Sequence, residues 1–382
     1  MKIKKLVARD IPDSRGNPTI EVTVNKKYSA SCPSGASTGK HEVSAFLVGG
    51  PLVSTKFLNN YDGFKDMEFE KFEDLQQVES IMPSVGGNTV VALQVAILRA
   101  MSDNDVWHFL NPKAQYLSIP LGNCVGGGAH TKFASTDFQE FLLLPRSKTL
   151  HDAVFANEWV YNHVGKKLNV KQKTDEGAWS LYSDAASVLT VLRKTADEAY
   201  DELGVRVDLG LDIAASRLYQ GIMYNYKFFS SSTRARKLSR EEHFGYVADL
   251  IKEFDLRYVE DPMQEEDFDG FRGYLRFKNL LVCGDDLVCT NMERLKKAVG
   301  RINAVIVKPN QVGSIVKAKE VVDFARANDI TPVISHRSGE TMDAWLSHLA
   351  VGWQIPIIKC GIFGKERVAK LKELKRIQDR LK

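Results

Sequence analysis

Leu256-Arg257-Tyr258-Val259-Glu260-Asp261, Leu280-Leu281-Val282-Cys283-Gly284-Asp285-Asp286 and Ala304-Val305-Ile306-Val307-Lys308-Pro309-Asn310-Gln311 share one pattern. Each is a short apolar run that stops at a charged side chain. Runs of this length suit strands buried on both faces, and the sequence between them is helical in character. In a barrel of parallel strands the active site is assembled where strands end and βα loops begin. Two carboxylates and a lysine at three successive strand ends therefore point to a metal with a base beside it.

The pattern extends in both directions. Val207-Asp208-Leu209-Gly210-Leu211 stops at Asp212, Thr331-Pro332-Val333-Ile334 at Ser335-His336-Arg337-Ser338, and Ile355-Pro356-Ile357-Ile358 at Lys359. Asp212, Glu260 and Asp285 form a carboxylate trio from three strand ends, which suits a hard cation such as Mg²⁺. Acids also cap the helices that follow strands. Six consecutive strand ends carrying charge or hydroxyl favour the functional reading over capping.

At 382 residues the chain exceeds what one hydrophobic core usually supports, so two domains are expected. With 44% hydrophobic and 26% charged residues it has an ordinary globular composition, and no apolar run reaches the ~20 residues of a membrane span. Met1-Lys2-Ile3-Lys4-Lys5 is basic, but no apolar segment follows it as a secretory signal requires. Cys32, Cys124, Cys283, Cys289 and Cys360 are scattered and lack a CxxC pair, which fits a reducing cytoplasm and argues against zinc. Residues 365–382 hold eight Lys or Arg against three acids, which accounts for the net charge of +4. Val368, Leu371, Leu374, Ile377 and Leu381 recur there at helical spacing, predicting a final amphipathic helix with a solvated basic face. A nucleic-acid footprint would spread basic residues over a face with aromatics between them, and none is evident.

The N-terminal part reads as strands over Ile3–Ala8, Thr19–Val24 and Tyr28–Cys32, with turn formers at Asp13-Ser14-Arg15-Gly16-Asn17-Pro18. Pro33-Ser34-Gly35-Ala36-Ser37-Thr38-Gly39-Lys40 is one residue too short for a phosphate loop, and His41 stands where Ser or Thr should follow the lysine. It is either a surface linker or a lid whose Ser37 reaches a metal or phosphate on closing. Helical periodicity follows over Phe69–Ile81 and Asn88–Met101. This gives an α+β domain over residues 1–117, and residues 118–382 match the ~250 of a (β/α)₈ barrel. His130, on a glycine-rich turn, precedes a strand carrying Glu140, and Glu176 lies in a third polar loop. Ser239-Arg240-Glu241-Glu242 is a helix-opening capping box with a structural role.

Taken together, Asp13 to Thr19, Pro33 to Gly39, Glu260-Asp261-Pro262, Gly284 to Leu287, Lys308-x-Asn310-Gln311 and Ser335 to Thr341 resemble the signature segments of the enolase (phosphopyruvate hydratase) family, in its order. The resemblance covers essentially the whole chain. It implies an α/β protein: an N-terminal α+β cap followed by an enolase-type (β/α)₈ barrel with atypically arranged first strands and helices. It implies reversible dehydration of 2-phospho-D-glycerate to phosphoenolpyruvate with two Mg²⁺, in a cytoplasmic homodimer or larger homo-oligomer that needs no nucleic acid or membrane. Carried over residue by residue, Asp212, Glu260 and Asp285 resemble the tight metal ligands, and Ser37 the ligand of the second ion, which arrives with substrate. Lys308 resembles the base, and Glu176, assisted by Glu140, the acid. His130, Glu140, Lys308, His336, Arg337, Ser338 and Lys359 resemble substrate contacts, with Arg337 and Ser338 at the phosphate and Lys359 at the carboxylate. A lysine base working with divalent cations is the enolase superfamily's known solution to ionising a carbon beside a carboxylate. Such a lysine is expected to have a depressed pKa, pushed down by Lys359 and metal.

The sequence departs from the family pattern at Ala129-His130-Thr131-Lys132, at Gly177-Ala178-Trp179-Ser180-Leu181 and at Ala214-Ala215-Ser216-Arg217. Lys132 and Trp179 leave a second reading open, a superfamily lyase acting on another phosphorylated or carboxylated acid. A non-catalytic scaffold is a third, which the retained carboxylates and Lys308 disfavour.

Overall fold

The computed structural model describes residues 1–35, 39–131, 135–230 and 232–381. The chain opens with an antiparallel meander of β1 (Leu6–Pro12), β2 (Pro18–Val24) and β3 (Tyr28–Cys32). The first strand begins later than the apolar pattern indicates. The Ile3 N–H bonds to the Met67 carbonyl, so residues before Leu6 pair elsewhere. The helix Gly87–Ser102 crosses this sheet and is buried throughout from Gly87 to Leu98. The segment expected as an α-helix over Phe69–Ile81 forms 3₁₀ turns over Phe72–Ile81. Its buried residues, Leu75, Val78 and Ile81, recur every three positions, which is the 3₁₀ period and not 3.6.

The second body is a closed barrel of β4 (Ile119–Gly126), β5 (Glu140–Arg146), β6 (Arg206–Asp212), β10 (Tyr258–Glu260), β11 (Leu281–Gly284), β12 (Ala304–Val307), β13 (Thr331–Ser335) and β14 (Ile357–Lys359). A small separate sheet of β7 (Tyr219–Gln220), β8 (Met223–Tyr226) and β9 (Arg236–Leu238) interrupts the series after β6. Six neighbouring pairs in the barrel are parallel, but β5 runs antiparallel to both β4 and β6. A parallel return needs a helical crossover, and among the described residues between β4 and β5 the only helical element is the short turn Gly128–His130. The two helices Leu150–Lys167 and Ala185–Leu203 then follow in succession before β6.

This reversal matters for the site. Because β5 is antiparallel, its first residue, Glu140, pairs with the last residue of β6, Asp212. Glu140 therefore reaches the same rim as the C-terminal ends of the other strands.

Leu121, Leu142, Leu144, Tyr258, Cys283, Ala304, Ile306, Val333 and Ile357 fill the barrel interior, while alternate residues such as Val305 and Val307 join the larger core around it. All five cysteines are buried and unpaired. No helix among the described residues is long and apolar enough to cross a membrane.

The final helix, Lys365–Gln378, buries Leu371, Leu374 and Ile377 as its spacing indicates. Its basic residues are not all solvated: Arg367 and Lys370 are each 1% exposed. Lys370 pairs with Glu340 at 2.6 Å and donates to the Thr341 carbonyl at 2.6 Å. Arg367 donates to the Ser338 carbonyl at 2.7 Å and to the Ser14 hydroxyl at 3.1 Å. Two basic side chains of this helix thus brace the loop that follows β13.

Candidate active site

The strand ends converge on one polar pocket of about 50 Å³. His130, Glu140, Glu176, Asp212, Asp285, Lys308, His336, Arg337, Ser338 and Lys359, all singled out in the sequence, line it. Glu260 is fully buried and reaches the pocket through Lys359. Ser37 and Lys132 lie outside the described residues.

Two ammonium groups organise the carboxylates. Lys359 Nζ sits 3.0 Å from Asp212 Oδ2, 2.9 Å from Glu260 Oε1 and 2.9 Å from Glu140 Oε2. Tyr258 also donates its hydroxyl to Glu260 at 2.6 Å, and Gln139 donates to Asp212 at 3.1 Å. Lys308 Nζ sits 2.5 Å from Asp285 Oδ2, whose other oxygen accepts from Gln311 at 3.0 Å. The trio read from the strand ends is thus divided, with Asp212 and Glu260 on Lys359 and Asp285 on Lys308.

Arg337 comes from the loop after β13 and is held by Asn310 at 2.9 Å. It also forms a double contact with Glu42, at 2.9 and 3.0 Å. Glu42 belongs to the segment that follows the glycine-rich loop. That segment is tied to the barrel on both sides of residues 36–38. Ser34 and Gly339 exchange backbone hydrogen bonds at 2.8 Å, Lys40 pairs with Glu265 at 2.5 Å, and the Val43 N–H bonds to the Gln311 carbonyl at 2.9 Å.

The enolase C-terminal TIM barrel domain model matches residues 114–382, and the enolase N-terminal domain model matches residues 3–50. The enolase of Methanothermobacter thermautotrophicus is 36% identical over 99% of this chain and 97% of its own length. That of Pyrobaculum aerophilum is 36% identical over 100% and 97%, and that of Halobacterium salinarum 38% identical over 99% and 99%. The chain belongs to the enolase (phosphopyruvate hydratase) family. It is accordingly an enzyme, a lyase, and the enolase family implies a divalent metal.

Electrostatics divide the enolase pocket into two sides. On one, burial works against the charged form of Lys308, but Asp285 outweighs it and holds the Lys308 pKa above its ordinary value. The depressed pKa expected of this residue is therefore not found in this arrangement, because Lys308 is paired to a carboxylate. Lys359 does push it downward, as expected, and Arg337 adds to that push.

On the other side His130, Glu140 and Glu176 offer ligand atoms all within 4.8 Å of one another. Burial pushes Glu140 up to about 8, against the pull of Lys359. Burial alone would lower His130, but Glu176, Asp175 and Glu140 lift it to about 9. Burial would likewise raise Glu176, yet His130, His336 and Arg367 hold it well below the usual carboxylate range. These shifts favour the proton on Glu140 and His130 over Glu176. Burial keeps His336 neutral.

Sequence reasoning missed Asp261 and Asp286, which line the pocket and form a second carboxylate cluster with Asp285. Asp261 accepts the N–H groups of Asp285 at 3.0 Å and Asp286 at 2.7 Å, so it shapes the turn that presents Asp285. Both stand next to predicted ligands in sequence, a signal that was available. Glu42 and Asn123, which donates to Glu176 at 3.2 Å, carry no local signal. Trp179, a candidate for reshaping the pocket, does not line it; its ring packs on Tyr161 outside the site.

Proposed function

We propose that this enolase interconverts 2-phospho-D-glycerate and phosphoenolpyruvate, in glycolysis and gluconeogenesis, using two Mg²⁺ ions. The observation that carries this reading is the pairing in one pocket of a lysine held among carboxylates with a proton-bearing acid cluster. The acids around Lys359 and Lys308 offer only oxygen donors, as a hard cation requires, and their negative charge already draws two ammonium groups together. Asp212, Glu260 and Asp285 would hold the first ion and Ser37 the second. Bound there, the ions would supply positive charge to offset that of a substrate carrying carboxylate and phosphate.

Lys308 removes the C2 proton. Its pair with Asp285 opens first, and Arg337 and Lys359 then favour its neutral form. Arg337 receives the phosphate through its planar fork, with Ser338 beside it, and Lys359 receives the carboxylate. Glu176 protonates the departing C3 hydroxyl, with Glu140 as the group that stores the proton. The two carboxyl groups offer oxygens within 4.8 Å of each other, which supports that transfer. His130 and His336 contact the substrate from the same side.

We also propose that residues 1–117 and 118–382 act as cap and barrel of a cytoplasmic homodimer or larger ring, as the resemblance implies. The five buried thiols suit a reducing compartment. The reading that Trp179 selects a different acid loses support from the position of its ring outside the pocket. A coupled assay for phosphoenolpyruvate formation from 2-phosphoglycerate with Mg²⁺ tests the assignment. Absence of turnover there, with turnover of another 2-hydroxy or phosphorylated acid, would replace it with a different superfamily lyase.

A further inference from the structure

Glu176 sits in a tight hairpin in which Lys173 and Trp179 form an antiparallel bridge. On one side the hairpin is held by β4, where the Trp179 N–H bonds to the Cys124 carbonyl at 2.9 Å and the Gly126 N–H to the Trp179 carbonyl at 2.8 Å. On the other it is held by side chains. The indole of Trp179 stacks on Tyr161, with centroids 4.9 Å apart, and Tyr161 stacks on Phe363 at 5.8 Å. Tyr161 donates its hydroxyl to the Gly177 carbonyl at 2.7 Å and accepts the indole N–H at its own carbonyl at 2.8 Å. The ammonium of Lys173 lies 3.2 Å from the Phe363 ring centroid, 4.5 Å from that of Trp179 and 5.4 Å from that of Tyr161. Three rings thus meet one cation, an attraction that strengthens as the cation loses water.

Two glycines make this packing possible. A Cβ at Gly165 would lie 2.4 Å from the Trp179 indole. Glycine weakens the helix Leu150–Lys167 that contains it, and its missing side chain is what admits the ring. A Cβ at Gly177 would lie 3.0 Å from the Phe363 backbone oxygen, so the hairpin rests on the segment that follows Lys359.

We propose that Lys173, Tyr161, Trp179 and Phe363 are positioning residues that fix the Glu176 carboxyl relative to Lys359 and thereby set the rate of the leaving-group step. None of the four lines the pocket, so they act through the hairpin and not on the substrate. The inference rests on the reading of Glu176 as the acid, and the test separates the two.

The full-length protein with Mg²⁺ is assayed for phosphoenolpyruvate formation and for exchange of the C2 proton of 2-phosphoglycerate into deuterium oxide. The variants are Lys173→Met, Tyr161→Phe, Gly165→Ala and Glu176→Gln. A small displacement of an acid is expected to lower kcat for product by about 10-fold in the first three, leaving KM and C2 exchange within about two-fold. Lys173→Arg, which can still stack on the rings, is expected to restore kcat. Wild-type kcat in Lys173→Met and Gly165→Ala, with Glu176→Gln impaired, would overturn the positioning role alone. Equal loss of product formation and exchange would also overturn it, as the sign of a merely loosened fold. Full activity of Glu176→Gln would remove the acid assignment, and the positioning role with it.

Discussion

In the proposed reaction the protonation state of Lys308 is decisive. In the free enzyme its partner is Asp285, 2.5 Å away, which favours the protonated form. A base acting in the first step and an acid acting in the second have different mutant signatures. Lys308→Ala is expected to abolish both product formation and C2 exchange. Glu176→Gln is expected to abolish product formation while some C2 exchange persists, since Lys308 remains. Wild-type exchange in Lys308→Ala would remove the lysine from its role as base. His130 gives a second test through stability. Its pKa is lifted from the ordinary 6.5 to about 9 in the folded protein, so the folded state binds a proton more tightly than the unfolded chain. That stabilisation is fully present below pH 6.5 and is lost as pH rises through about 9. The unfolding free energy of the metal-free protein, read from urea denaturation, should therefore fall over this window, by at most about 1.4 kcal/mol per pKa unit. His130→Gln should flatten the profile, and an unchanged slope would place its origin elsewhere.

At the scale of elements, the barrel strands are legible in the sequence because each is apolar on both faces and stops at charge. Their boundaries in β11, β12 and β13 shift by a residue at most from the pattern. The direction of β5 is not legible, because it is set by pairing with β4 and β6, which its own apolar run does not specify. Nor are the buried charges of the last helix. Arg367 and Lys370 look like solvated members of a basic run, since their partners Ser338, Glu340 and Thr341 lie about 30 residues away in sequence. The loop after β13 carries Arg337 and Ser338, so this helix supports the side of the pocket proposed to receive the phosphate. Lys370→Met leaves Glu340 buried without its cation and is expected to cost roughly 3–5 kcal/mol, read from denaturant unfolding. A loss below about 1 kcal/mol would mean that Glu340 finds another donor.

At the scale of the whole molecule, the cap and the barrel meet at the pocket. The Ser34–Gly339 backbone pair and the Glu42–Arg337 ion pair join an N-terminal segment to the loop after β13. Chelation with EDTA is expected to abolish turnover and Mg²⁺ to restore it; full activity in excess chelator would contradict the metal ligands assigned to Asp212, Glu260 and Asp285. The contacts of Lys359 carry a further consequence. Its single ammonium lies within 3.0 Å of Asp212, Glu260 and Glu140, so the barrel carries an internal counter-ion that offsets one unit of their charge. Uptake of the proposed metal ion by those acids would then be an exchange reaction, in which the incoming charge displaces or shares with one supplied by the chain. Removing the ammonium should turn a catalytic metal into a structural one. Lys359→Met is expected to unfold several kcal/mol more easily in EDTA than the wild type and to recover much of the difference in Mg²⁺. Equal melting temperatures for the two proteins in EDTA would mean that these acids do not depend on Lys359 for their charge balance.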